Sequence, residues 1–168
     1  MKLSTKGRYA VMAMADLATH ATGKPIALAD VAERQEISLS YLEQLFGKLR
    51  RNGLVKSVRG PGGGYLIARE TINVRVSDIV LAVDEPIKVT RCQPGSPAGC
   101  KSTKGRCITH DLWQELSNQI LLFLSSVTLA DVVGNKVLGT SGALFHRDNP
   151  CAVSGVDDVD ESARTAAQ

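Results

Sequence analysis

The chain has 168 residues, a formal net charge of +3, 43% hydrophobic residues and four cysteines. This length is sufficient for one domain with a hydrophobic core plus extensions. No apolar run reaches the roughly 18 residues of a transmembrane helix, so we expect no membrane segment. Free cysteines without an export signal predict a cytoplasmic protein, because that compartment is reducing.

The charge is divided unevenly along the chain. Residues 1–69 hold 11 Lys and Arg against 5 Asp and Glu, whereas residues 70–168 hold 9 against 12. A basic N-terminal half is typical of a protein that binds nucleic acid at that end, because phosphate groups attract cations.

Two helices are predicted before residue 36. The first begins at Ser4 or Thr5, either of which can cap it, and ends near His20. A short second helix covers residues 28–34, and a tight turn follows. This arrangement leads directly into a longer third helix.

The third helix, predicted over residues 39–52, is the most informative regular element. Its apolar residues recur at helical spacing and form one continuous face: Leu39, Leu42, Leu45, Phe46 and Leu49. Ser38 or Ser40 can cap its start, Ser40 in a capping box with Glu43, and Gly53 is a natural residue beyond its end. A short helix, a turn and a longer helix with a polar N-terminal face indicate a helix-turn-helix. Taken alone, the third helix also fits a simple solvated surface helix.

A β-hairpin is predicted after the third helix. Strands are expected around residues 54–58 and 65–67, joined by a glycine-rich tip within the sequence SVRGPGGGY. A helix-turn-helix followed by a hairpin is a winged helix. Arg59 lies at the tip, where it can enter a DNA minor groove beside glycines that permit close approach. A nucleotide-binding loop is excluded because no Lys-Ser/Thr pair and no helix follow the glycines.

Beyond the hairpin we expect a strand over residues 72–75 and a short helix over residues 77–83, capped by Ser77. Both are expected to pack on the winged domain, which we place at residues 1–84. They carry the chain to a segment, residues 85–110, that is rich in cysteine.

This cysteine segment holds three of the four cysteines and one of the three histidines. The four residues, separated by seven, six and two others, are Cys92, Cys100, Cys107 and His110. Glycine, proline and lysine dominate between them, so the segment has too little apolar surface to offset its ordering entropy. Bound metal can supply the missing free energy, and three thiolates with an imidazole make a suitable shell. Spacing alone leaves both zinc and an iron–sulfur cluster open.

A long helix is predicted from Asp111, as its cap, to about Ser126. Its apolar residues cover far more than one stripe, and a peripheral helix of one small domain does not need so much apolar surface. We therefore expect residues 111–135 to be a dimerisation helix, one side packed on its own domain and the other on a second subunit. A wholly intramolecular helix is the alternative. Residues 136–168, including Cys151, are predicted to be a disordered tail.

The predicted fold is mainly α with a small β-wing: a winged helix-turn-helix domain plus a long C-terminal dimerisation helix. Such a homodimer would bind a roughly palindromic site in double-stranded DNA, with half-sites about one helical turn apart. An enzyme is not expected, because the sequence offers no paired carboxylates in a plausible site, no nucleophile motif and no nucleotide loop. No catalytic residues are therefore assigned.

Four stretches strongly resemble the IscR family of iron–sulfur cluster regulators: KLSTKGRYAV, ISLSYLEQLF, KSVRGPGGGYL and RCITHDLW. The resemblance spans roughly residues 1–135 and implies a homodimeric winged-helix repressor or activator. It also implies a [2Fe-2S] cluster in each subunit, received from cluster donor proteins and held by Cys92, Cys100, Cys107 and His110. DNA-contacting roles carry over to six positions: Ser38, Ser40, Tyr41, Glu43, Gln44 and Arg59.

The function implied by the resemblance is the sensing of iron–sulfur cluster status and the control of cluster assembly genes. The regulator would be cytoplasmic and nucleoid-associated when bound. Two features depart from the family pattern: the gaps between the cysteines are longer, and the tail after about residue 138 matches nothing in it. The alternative is a zinc-stabilised winged-helix nucleic-acid-binding protein without a sensing role.

Overall fold

The computed structural model describes residues 5–84 and 106–137, which belong to the first of two compact units, residues 1–137. Of the predicted tail, residues 136–168, only Lys136 and Val137 are described, and the part from residue 138 onward lies outside the described residues. The elements in chain order are α1 (Thr5–Thr19), α2 (Leu28–Gln35), α3 (Leu39–Arg51), β1 (Val55–Val58), β2 (Gly64–Ile67), a 3₁₀ turn (Thr71–Asn73), α4 (Val76–Ala82), α5 (His110–Ser126) and α6 (Leu129–Val133). The helices dominate, and the small sheet pairs β1 with β2.

Helix α1 forms the centre of the core. Ala10, Ala13, Met14 and Leu17 are each at most 1% exposed, and α1 contacts α2, α3, α4, α6 and β2. The two alanines leave room for neighbouring helices, since the distance between packed helices depends on the side chains at their contact. α1 therefore joins the helix-turn-helix and the C-terminal elements in one core.

Helix α3 packs its apolar face into this core. Four of the five predicted residues, Leu42, Leu45, Phe46 and Leu49, are at most 2% exposed. Burial of each such side chain contributes about 1.5–3 kcal/mol. The prediction that Leu39 belongs to this face is wrong, because it is 41% exposed. As the first residue of α3 it lies at the edge of the core.

The wing is an antiparallel hairpin in which Val55 pairs with Ile67 and Val58 with Gly64. Ile26, just before α2, adds a third pairing position. Its backbone exchanges hydrogen bonds of 3.0 and 2.8 Å with Tyr65. A Cβ atom on Gly64 would clash with the Ile26 carbonyl, so only glycine permits this close approach.

The expected strand over residues 72–75 is wrong. Thr71–Asn73 form a 3₁₀ turn, and Arg75 makes only an isolated bridge to Thr128. The flanking hydrogen bonds join Val76 N to Val127 O at 3.0 Å and Leu129 N to Val74 O at 2.8 Å. The partner of Arg75 is Thr128 in the short turn between α5 and α6, so only one bridge forms.

Helix α4 begins one residue earlier than predicted, and its cap is not Ser77. Ser77 is buried inside the helix, while the cap position is Arg75, whose backbone N–H donates to the Asp78 carboxylate at 3.2 Å. A carboxylate three residues into the helix thus replaces the expected hydroxyl.

Helix α5 begins at His110 with Thr109 as its cap residue, so the prediction of Asp111 as cap is wrong. Asp111 lies in the first turn, where a negative charge complements the helix dipole. The expected end near Ser126 is confirmed. The range 111–135 nevertheless holds two helices, because the chain turns at residues 127–128.

Helix α6 is short and packs on α1 and on the 3₁₀ turn. Leu129 is fully buried. Thr128 caps the helix reciprocally: its Oγ1 accepts from Asp131 N at 3.0 Å, and its own N–H donates to the Asp131 carboxylate at 2.9 Å. This capping box stabilises the start of α6, the last helix in the described part of the chain.

Candidate DNA-binding surface and cluster segment

The start of α3 is fixed by Ser38. Its Oγ accepts a hydrogen bond from Tyr41 N at 3.2 Å and lies 3.0 Å from Ser40 Oγ. Ser38 is therefore the cap, and the capping box of Ser40 with Glu43 is wrong. Because Ser38 already accepts from the backbone N–H of Tyr41 in the first turn, Ser40 is not needed as a cap. The side chain of Ser40 lies exposed on the helix surface.

A polar surface occupies the side of α3 opposite the core. Ser40, Glu43 and Gln44 are exposed, and residues three and four apart lie on the same face of a helix. We call these three residues the recognition face. Tyr41 differs from them, since it is half-buried and its ring packs edge-on against Tyr9 of α1, with centroids 6.1 Å apart. Tyr41 thus fixes the position of α3 on α1.

Arg59 lies at the tip of the wing and is exposed. The turn after it needs glycine at two positions, because Gly60 and Gly62 have φ angles of +107° and +71°. A backbone hydrogen bond of 2.9 Å from Gly63 to Gly60 closes the turn. Five of the six predicted DNA-contacting residues therefore cluster at the start of α3, and Arg59 projects from the separate hairpin.

The wing and α3 are connected by an aromatic contact and a polar one. The rings of Phe46 and Tyr65 meet edge-to-face with centroids 4.9 Å apart, a geometry that adds about 0.5–1.5 kcal/mol to simple burial. Arg50 donates to Ser57 Oγ of β1 at 3.3 Å. The two parts of the candidate surface are thus held in a defined relation.

The last turn of α3 is strongly basic, with Lys48, Arg50 and Arg51. Positive charge at a helix C terminus offsets the helix dipole. Together with exposed Lys56 and Arg59 of the wing, it makes this side of the domain attractive to phosphate groups.

The described part of the cysteine segment places two of its four predicted ligands together. His110 N donates to the Cys107 carbonyl at 3.0 Å, so the two residues occupy one turn at the start of α5. Cys107 is half-buried and forms no disulfide. Cys92 and Cys100 lie outside the described residues.

A thiolate and an imidazole one turn apart are donors that suit zinc or an iron–sulfur cluster. Within residues 5–84 and 106–137 no group of three or more potential metal-binding side chains occurs. A full ligand set therefore needs residues from the undescribed part of the segment.

Within the described part of the chain, other residues pack on one side of helix α5 only. Leu124 packs on a small cluster of Val76, Val80 and Val127, and Ser117 is the one fully buried residue in α5. Leu112, Leu122 and Phe123 remain 53–62% exposed. The expected packing of one side of α5 on its own domain is seen, and a second apolar surface stays open to solvent.

Comparison with known proteins assigns the family. The model of the Rrf2 family, described as an iron-dependent transcriptional regulator, matches residues 3–135. The chain belongs to the Rrf2 family. The HTH-type transcriptional regulator IscR of Salmonella agona (strain SL483) is 49% identical over 160 residues, which cover 95% of this chain and 96% of that relative.

Two solved structures resemble this Rrf2 protein. T. potens IscR is 37% identical and has a TM-score of 0.64 over 86% of this chain and 96% of its own. CymR, the global cysteine regulator of B. subtilis, is 32% identical and has a TM-score of 0.66 over 80% and 98% of the two chains. The predicted winged-helix fold and the resemblance to IscR are therefore confirmed.

This Rrf2 protein is accordingly a transcriptional regulator with a DNA-binding winged helix. Its named relatives are regulators rather than enzymes. In the part of the chain that the structure describes, no helix is long and apolar enough to cross a membrane.

One important contact of the helix-turn-helix was not predicted. Asp16 on the buried side of α1 accepts hydrogen bonds from Arg34, including one of 3.0 Å from Nε, and from Gln35 at 2.8 Å. Burial is the largest single effect on the Asp16 pKa and raises it, but the hydrogen bonds and charge of Arg34, with Gln35 and His20, outweigh it and lower the pKa. The one sign of this contact in the sequence is that Asp16 is a single acidic residue in an otherwise apolar stretch that includes Met14 and Leu17.

Proposed function

We propose that this Rrf2 protein senses iron–sulfur cluster status through a [2Fe-2S] cluster and controls the genes of cluster assembly. The observation that carries the proposal is the pairing of Cys107 and His110 at the start of α5, in a chain whose N-terminal part is a DNA-binding winged helix. Cys92 and Cys100 would complete the ligand set. The IscR relatives support this assignment.

The bound cluster would supply a group that is lost under iron shortage or oxidation. The chain's own residues would transmit that loss. His110 is both a proposed ligand and the first residue of α5, so ligation at His110 would order the start of this helix. A cytoplasmic regulator, nucleoid-associated when bound and loaded by cluster donor proteins, follows from this scheme.

In the proposal α5 also forms the homodimer. Its exposed side chains Leu112, Leu122 and Phe123 would bury one another across a twofold axis, because a solvated apolar surface of this kind is typical of an interface. Two winged domains related by that axis would bind a palindromic site with half-sites about one turn apart.

Six residues would contact DNA in this dimer: Ser38, Ser40, Tyr41, Glu43, Gln44 and Arg59. The start of α3 would enter the major groove and Arg59 the minor groove. Glu43 would act partly by exclusion, because a carboxylate accepts from cytosine N4 but repels phosphates and acceptor edges.

The decisive experiment is a visible absorption spectrum of protein purified without oxygen, with iron, sulfide and zinc assayed on the same sample. We expect a coloured protein with comparable iron and sulfide. The Cys107→Ala and His110→Ala variants should lose or shift the absorption, while Cys151→Ala serves as the matched cysteine control and should keep it. A colourless protein with one tightly held zinc would favour the zinc-stabilised alternative instead.

The proposed exclusion by Glu43 gives a separate prediction about specificity. Glu43→Ala should broaden the set of duplexes that the protein selects from a random-sequence pool, because removing the carboxylate removes a repulsive element. Because Glu43 is exposed, thermal unfolding should be almost unchanged. An unaltered specificity profile would show that Glu43 does not discriminate between bases.

A further inference from the structure

The C-terminal half of α3 is joined to the end of α4 by polar contacts. Lys48 Nζ lies 2.8 Å from the Asp84 carboxylate and donates to the Val83 carbonyl at 3.5 Å. Asn52 Nδ2 donates to the Ala82 carbonyl at 3.2 Å. We call these five residues the α3–α4 latch.

The latch lies at the entrance to the cysteine segment. Asp84 is the last residue described before that segment, and seven residues separate it from Cys92. Its backbone is left-handed, with φ of +58°, a conformation that residues other than Gly, Asn and Asp rarely adopt. The contacts of the latch to Ala82, Val83 and Asp84 therefore anchor the chain just where its described N-terminal part ends.

The charges around Asp84 favour an anion at this position. The hydrogen bond and the charge of Lys48 lower the pKa of Asp84 most, desolvation opposes them, and the charges of Arg51 and Lys6 lower it by smaller amounts. Three cations from α1 and α3 thus act on one carboxylate, which leaves an excess of positive charge. Such an excess next to a recognition helix suits the phosphates of DNA.

Lys48 is also placed to contact DNA. It follows Gln44 of the recognition face by four residues, which puts both side chains on the same side of α3. While Lys48 is paired with Asp84, the carboxylate offsets part of its charge and occupies one of its donor directions. Released from Asp84, it would add one phosphate contact to the interface.

We propose that Asp84 competes with a DNA phosphate for Lys48, so that the chain entering the cysteine segment controls one phosphate contact of α3. This inference rests on the proposed function and adds a route for its regulation. Cys92 lies eight residues beyond Asp84 in the sequence, so its ligation would constrain the chain that leaves the latch and change the availability of Lys48. Lys48 becomes a seventh DNA-contacting residue, absent from the set predicted by sequence.

The test measures the affinity of the full-length protein for one duplex, selected by the wild type from a random-sequence pool, at increasing salt. Asp84→Asn should steepen the slope of log affinity against log salt by about 0.9 and tighten binding at low salt about threefold, as expected for one additional phosphate contact. Adding Lys48→Gln to this variant should abolish both gains. The control is Asp30→Asn, which removes an exposed carboxylate on α2. It should change neither the salt slope nor the affinity at low salt.

A second variant separates the loss of the Asp84 carboxylate from any effect of the substitution on folding. Asp84→Gly also removes the carboxylate, and glycine accepts the left-handed conformation at this position without strain. It should fold at least as well as Asp84→Asn and give the same salt dependence. Identical slopes for wild type, Asp84→Asn and Asp84→Gly would overturn the latch while leaving the proposed function intact.

The same titration on cluster-loaded and cluster-free protein tests the regulatory step. We expect the two wild-type forms to differ in slope and the difference to shrink in Asp84→Asn. A difference that persists unchanged in the variant would overturn the proposed route. If the wild type selects no duplex from the random-sequence pool, the proposed function and this inference are overturned together.

Discussion

Helices α3 and α5 both carry strong apolar patterns, but they use them differently. The apolar side chains of α3 lie almost completely inside the core of the winged domain, apart from Leu39 at its start. Within α5 only Ser117 is fully buried, and its largest apolar side chains face solvent. The same helical period therefore accompanies a buried core in one region and an exposed apolar surface, the proposed dimer interface, in the other. The winged domain is stabilised by burial of its own side chains, whereas the exposed apolar side chains of α5 contribute little to the stability of the monomer.

The largest expected effect compares one phenylalanine in each region. Phe46→Ala should lower the free energy of unfolding by about 3–5 kcal/mol, because it leaves a cavity in the core and removes the contact with Tyr65. Phe123→Ala should cost the folded monomer less than about 1 kcal/mol, since this side chain is more than half exposed. Urea unfolding at low protein concentration measures both. Equal losses would contradict the distinction between core and interface.

A polar contact inside the winged domain should have the next largest effect. Asp16→Ala removes the carboxylate that joins α1 to α2 and should cost about 2–4 kcal/mol, because it leaves the partly buried Arg34 without its partner. Asp30→Ala, an exposed acid on α2, is the control and should change the stability by less than about 0.5 kcal/mol.

The effect of Asp16 should depend on pH in a defined direction. Its pKa is lowered in the folded protein, so its contribution is complete above the unfolded value of about 3.9. It is lost as pH falls through the lower, folded value. The gap between wild type and Asp16→Ala should therefore narrow in strongly acidic urea titrations, and a gap that widens there would contradict the role of Asp16.

These residues show how far sequence could lead. The apolar face of α3, the hairpin and the helical positions of the recognition face follow from local periods and turn chemistry, so they were predictable. Asp16 was not, because its partner Arg34 lies 18 residues away and a lone acid in an apolar run has no local explanation. The failed strand over residues 72–75 has a similar cause, since its bridging residue Thr128 is more distant still.

The cysteine segment shows a second limit of prediction from sequence. Its composition and residue types predict a metal shell, and the structure adds that Cys107 and His110 share one turn. Which metal such a shell prefers depends on the geometry of all its donors. Cysteine spacing does not determine that geometry, because the glycine-rich sequence between the predicted ligands is compatible with many backbone conformations.

The exposed side of α5 leads to a prediction about association. Leu122→Glu should weaken dimerisation at least tenfold, equivalent to about 1.4 kcal/mol, because it would bury an unpaired charge in the proposed interface. The stability of the monomer should hardly change, since Leu122 is 62% exposed. Sedimentation velocity over a concentration series measures the association, with Thr22→Glu in the exposed loop between α1 and α2 as the charge-matched control. If both variants dimerise like the wild type, α5 is not the interface.

The smallest expected effect separates two neighbouring serines of α3 that sequence could not distinguish. Ser38→Ala should lower the free energy of unfolding by about 1 kcal/mol, because Ser38 Oγ accepts the hydrogen bond from Tyr41 N. Ser40→Ala should cost much less, because Ser40 is exposed and does not cap the helix. Its effect should appear instead in DNA affinity, where Ser40 belongs to the recognition face. Urea unfolding and DNA titration of both variants measure this difference, and the reverse order of stabilities would reassign the cap to Ser40.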